Sequence, residues 1–102
     1  MSISVTNDRD KKQHVIRIKD RFDFAIHQQF REAYQNINEN GIEYKLDLSA
    51  TQYMDSSALG MILLLKDHAD KFKSSVVIYK PAANVAKVLE IAQFHQLLTI
   101  EH

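Results

Sequence analysis

The chain has 102 residues, 45% of them hydrophobic and 25% charged, a composition that suits one globular domain and leaves no room for a second, so residues 1–102 are expected to form a single domain. Thirteen basic and thirteen acidic residues cancel, which removes the positive field of a protein held on DNA, RNA or anionic lipid; neither nucleic acid nor membrane is an expected partner. Cysteine is absent, which excludes a disulfide framework and thiolate chemistry and suits a reducing compartment, the cytoplasm.

In chain order, Ile3 and Val5 alternate with polar residues, Asn7 to Lys12 is a charged turn, and His14 to Ile18 alternates again, which predicts an opening hairpin. The period then changes: Phe24, Ile26, Phe30, Ala33, Tyr34 and Ile37 predict a helix capped by Asp23 and ended at Asn40-Gly41. Ile42, Tyr44, Leu46 and Leu48 form the next strand. A second helix should bury Ala58, Met61, Ile62, Leu65, Ala69 and Phe72, leaving Leu59, Leu63 and Leu64 on its flanks as surplus apolar surface. Val76 to Tyr79 is a buried-type strand, Pro81 opens a helix with Val85, Val88, Leu89 and Ala92 inward, and a last strand runs from about Leu97 to Ile100. The expected fold is α/β, a mixed sheet of four to five strands with three to four helices.

The most informative stretch is Met54-Asp55-Ser56-Ser57-Ala58-Leu59-Gly60, because it joins a strand-like run to an apolar helical run. Two hydroxyls therefore stand at a helix N-terminus, where unpaired amides and the helix dipole stabilise a phosphate. Ser56 is thereby a candidate phosphate-bearing switch. The competing reading is that Asp55 or Ser56 is only an N-cap.

Other chemistries fare worse. Only two glycines, Gly41 and Gly60, are present, so neither a Walker A loop nor a dinucleotide fingerprint can be assembled, and no cofactor is expected. A kinase acting on Ser56 must be another protein. The five histidines show no metal-ligand spacing, and no metal site is expected. A serine hydrolase lacks its Gly-x-Ser-x-Gly elbow, although His68 or His95 could approach in space. Asp47, at a strand end, invites a phospho-aspartate receiver reading, which the opening hairpin opposes. The start, Met1 to Asp10, lacks the blocks of a secretory signal, and the longest apolar run, Met61 to Leu65, falls far short of the ~20 residues that span a bilayer.

Tyr44-Lys45-Leu46-Asp47-Leu48-Ser49 followed by Met54 to Gly60 resembles the STAS family, specifically the anti-sigma factor antagonists of bacterial partner-switching systems. The family's strand with Gly-x-Leu-Asp is matched by Ile16 to Asp23, and its late helix by Pro81 to Phe94. The resemblance implies a non-enzymatic regulator phosphorylated at Ser56, with Asp55 and Ser57 supporting the phosphosite. It implies a serine kinase of the histidine-kinase-like ATPase fold as partner, often an anti-sigma factor, and a PP2C-type phosphatase that restores binding. Asp23, Ala58, Gly60, Met61 and Leu64 fall at the implied partner-binding positions. The family usually has Gly at the positions of Ala58 and Asp20, so the effector could be other than a sigma factor. The competing class is a constitutive STAS scaffold or accessory subunit, in which Ser56 is only a cap.

Overall fold

In the computed structural model, which describes residues 2–102, the chain opens with an antiparallel hairpin of β1 (Ile3–Asp8) and β2 (Gln13–Ile18), Val5 opposite Ile16. There follow β3 (Asp20–Phe22), a 3-10 turn (Phe24–Ile26) running into α1 (His27–Glu32), β4 (Glu43–Asp47), β5 (Thr51–Met54) and α2 (Ser56–Lys71). The chain then forms β6 (Ser75–Tyr79), α3 (Ala83–Ile91), a 3-10 turn (Phe94–Gln96) and β7 (Thr99–Glu101).

The main sheet has the order β1-β2-β4-β6-β7, with β2, β4, β6 and β7 mutually parallel. Each parallel strand is added on the same side of the previous one, so right-handed crossovers carry α1, α2 and α3 to one face. Strand alternation turns Ile16, Ile18, Tyr44, Leu46, Val76 and Ile78 to that face. They pack there with Phe30, Ala58, Ile62, Leu65, Val85 and Leu89 in one buried core. On the opposite face, Lys45 lies with Nζ 4.2 Å from the centre of the Tyr79 ring.

β3 and β5 form a separate two-stranded parallel ribbon that the sequence reading did not anticipate. Thr51, fully buried, ties it to the main sheet by donating its hydroxyl to the Ile18 carbonyl at 2.7 Å. The ribbon carries a bulge: Asp20 is level with Thr51, but Arg21 is level with Tyr53. Asp20 enters it at φ +68°, a left-handed conformation that Asp tolerates better than most residues and that accounts for the family's preference for Gly there. The bulged residue, Gln52, offers its carbonyl to Asn84 Nδ2 at 2.6 Å, which fastens α3 to the ribbon.

Two expectations are corrected. The first helix ends at Glu32, not at Asn40-Gly41: the chain tightens into turns, with the Tyr34 amide on the Arg31 carbonyl and the Ile37 amide on that of Tyr34. His14 Nε2 donates to the Ala33 carbonyl at 2.7 Å and His68 Nε2 to that of Ile37 at 2.8 Å. Tyr34 stays buried, so the apolar period persists where the helix does not. His14 is itself buried and His68 is half-buried. Phe72 is half-buried instead of buried, because α2 ends at Lys71 and the chain turns away.

Candidate functional site

The β3–β5 ribbon brings two helix starts together. Phe22 is level with Met54, so the next residue on each strand, Asp23 and Asp55, leads side by side into the turn before α1 and into α2. Both are N-caps in extended conformation. Asp23 Oδ1 accepts the Ala25 amide at 3.1 Å. Asp55 Oδ1 accepts the Ser57 amide at 3.0 Å and the Ser57 hydroxyl at 2.6 Å. The Ser57 hydroxyl above all, then the Ala58 and Ser57 amides and the nearby Arg21 charge, hold the Asp55 carboxyl below its ordinary range against the opposing effect of burial.

This arrangement assigns the cap. Asp55 fills the role with Ser57 as its support, while Ser56, the first helical residue, is exposed and takes no part in those bonds. The alternative in which Ser56 is the capping side chain is not the one the chain adopts.

The α2 residues named from the sequence separate by helical face. Ser56, Gly60 and Leu64 are exposed, Leu64 at 60%, and lie four apart on one stripe. Ala58 and Met61 belong to the core at 0% and 6% exposure, so neither side chain is presented at the surface. Ala58 is a fully buried residue of α2, where Ala in place of Gly favours a helix by about 1 kcal/mol. Beyond Gly60 the stripe borders a groove of about 100 Å³ between α1 and α2, lined by Phe24, His27, Phe30, Arg31, Tyr34, Met61 and Leu64. Phe24 is 61% exposed and stacks on His27, ring centres 4.0 Å apart, so this rim is apolar and open.

Arg21 is the residue that sequence reasoning missed. Its Nε donates to Asp23 Oδ2 at 3.1 Å and its guanidinium lies 4.3 Å from the centre of the Tyr53 ring, beside both caps. The only available signal was its place inside the stretch from Ile16 to Asp23.

Two side chains that competing chemistries would draw on are engaged elsewhere. His68 lies three turns along α2 from Ser56, about 18 Å, and its Nε2 is spent on the Ile37 carbonyl. Asp47 Oδ1 accepts the Ser49 amide at 2.9 Å and hydroxyl at 2.7 Å, closing the turn after β4. No group of three or more metal-ligating side chains is present among the described residues, and none of their helices is long and apolar enough to cross a membrane.

Comparison with known proteins places these features. Residues 5–99 match the family model described as "Mlab, STAS domain". A STAS-domain containing protein of Pseudomonas aeruginosa, PA14_20770, is 40% identical over 100 residues, covering 98% of this chain and 99% of that one. Among solved structures, an anti-sigma-factor antagonist (STAS) domain protein from Planctomyces limnophilus superposes with a TM-score of 0.80 at 14% identity, over 97% of this chain and 88% of that one. The Bacillus cell fate determinant SpoIIAA in its phosphorylated form gives 0.66 at 15% identity, over 98% and 91%. The mixed sheet and three helices are thus the fold of these neighbours, and the family consists in general of protein-binding regulators, not enzymes. The chain belongs to the STAS domain family.

Proposed function

We propose that this chain is the reversible element of a cytoplasmic partner switch. In its unphosphorylated form it binds a serine kinase of the histidine-kinase-like ATPase fold, of anti-sigma factor type, or an effector released by such a kinase. Phosphorylation of Ser56 by the kinase breaks that complex, and a PP2C-type phosphatase restores it. The observation that carries this reading is the division of labour at the start of α2: Asp55 and Ser57 make the cap, which leaves the Ser56 hydroxyl exposed at a helix N-terminus. The likeness in fold to a protein solved in a phosphorylated form supports it.

A phosphoserine brings a charge of about −1.5 to −2 at neutral pH. At Ser56 it arrives next to Asp55, whose neighbour across the ribbon is Asp23, on the stripe that ends in Leu64. A partner surface that accepts Gly60 and Leu64 would have to desolvate that charge on rebinding. Each ~1.4 kcal/mol of lost interaction is a tenfold loss of affinity, so one phosphate suffices to open a modest interface.

Affinity purification from native cells tests the reading. Ser56→Ala should retain the kinase under all growth conditions, whereas wild type should lose it when phosphorylated. Equal retention by wild type, Ser56→Ala and the phosphorylated protein would refute the switch. A second reading, a constitutive subunit of a larger complex, draws on the apolar rim of Phe24 and Leu64, which is exposed irrespective of Ser56. Its mark in the same experiment is a stable large complex whatever the state of Ser56.

A further inference from the structure

Arg21 is held in a way that its present partners do not require. The bulge in the β3–β5 ribbon sets it against Tyr53 instead of Gln52, with its guanidinium 4.3 Å from the ring centre. Its Nε reaches forward two residues to Asp23 Oδ2, so the fork is aimed at the helix starts. Asp55 stands beside Asp23 on the neighbouring strand, and Ser56 follows it. The Asp55 carboxyl, held low chiefly by the Ser57 hydroxyl, also lies within the field of the guanidinium. The Arg21 side chain is 64% exposed, and its bond to Asp23 engages Nε only, leaving both η nitrogens to solvent.

We propose that Arg21 is the intramolecular receptor of the Ser56 phosphate: on phosphorylation its guanidinium leaves Asp23 and the Tyr53 ring and takes two phosphoryl oxygens with its η nitrogens. The inference rests on Ser56 being the phosphorylated residue. A phosphate near −2 competes with a carboxylate at −1 for the same cation, and a planar fork fits phosphoryl oxygens in pairs. The exchange also amplifies the switch. Asp23, 18% exposed and neutralised by Arg21 at rest, is left as an uncompensated carboxylate at the proposed partner edge just as the phosphate arrives.

The test uses the whole chain with phosphoserine installed at position 56 during translation, so that no kinase is needed. Two readouts report on Arg21. In proton NMR, its side-chain protons should lose the ring-current shift from Tyr53 when residue 56 carries phosphate, and its Nε–H resonance should move. In ³¹P NMR, the phosphate titration midpoint should lie about one unit lower in the wild-type background than in Arg21→Ala, with Arg21→Lys between them. The carboxylates at the two helix starts, Asp55 and Asp23, are the same in all three proteins and raise the midpoint in each. A common midpoint in wild type and Arg21→Ala, with Arg21 still stacked on Tyr53, would overturn the proposal. Failure of the partner switch would appear elsewhere, as partner binding that ignores phosphate at Ser56, and would leave these spectra unchanged.

Discussion

Asp55, Ser56 and Ser57 are adjacent in sequence yet carry three different duties, and the pH dependence of stability separates them. Asp55 accepts from Ser57 twice through one oxygen, which holds its folded-state carboxyl below the ordinary range. A carboxyl whose folded value is depressed contributes stability above its unfolded value and loses it as pH falls through the folded one. Asp55→Ala should therefore cost about 1 kcal/mol at neutral pH, a usual value for a lost N-cap, and the difference from wild type should shrink as pH falls through the acidic range. Urea unfolding at pH 7 and at pH 3 measures it. A difference that is constant or grows on acidification would contradict the assignment. Ser56→Ala should leave stability nearly unchanged, since its side chain takes no part in the cap.

At the scale of elements, what could be read from the sequence is what periodicity controls. The hairpin, β4, α2, β6 and α3 each carry a clear alternation or helical stripe, and each forms near its expected place. Periodicity gave no warning where a polar side chain or a single dihedral decides. α1 stops at Glu32, and the turns beyond it are held by His14 and His68, distant in sequence, on the carbonyls of Ala33 and Ile37. The β3–β5 ribbon is too short to show alternation, and its register depends on Asp20 at φ +68°. That dependence is testable. A β-branched residue in the left-handed region is strained, so Asp20→Val should cost about 1–2 kcal/mol and weaken amide protection in β3 and β5, whereas Asp20→Gly should retain both. Equal stability of Val and Gly at this position would mean that the bulge does not depend on it.

For the molecule as a whole, the one-directional order of the parallel strands places every helix on one face, and the ribbon collects Arg21, Asp23, Asp55 and Ser56 at one end of that layer. The serine and its flanking acids were legible in the sequence because they are contiguous with a motif. Arg21 and Tyr53 were not, because they meet the site only through strand pairing. The exposed stripe through Gly60 and Leu64 leads from the serine to the apolar rim at Phe24, so the proposed phosphosite and the apolar rim share one surface. A partner switch of this kind requires that Ser56 carry a phosphate in the cell. The most direct measurement is a phosphate-affinity gel of the protein from its native cells, with mass-spectrometric mapping, comparing wild type with Ser56→Ala. A slower species that maps to Ser56, changes in abundance with growth condition and vanishes in the variant is the expected result. A protein that remains unphosphorylated in every condition, or whose phosphate maps to another residue and persists in Ser56→Ala, would contradict it.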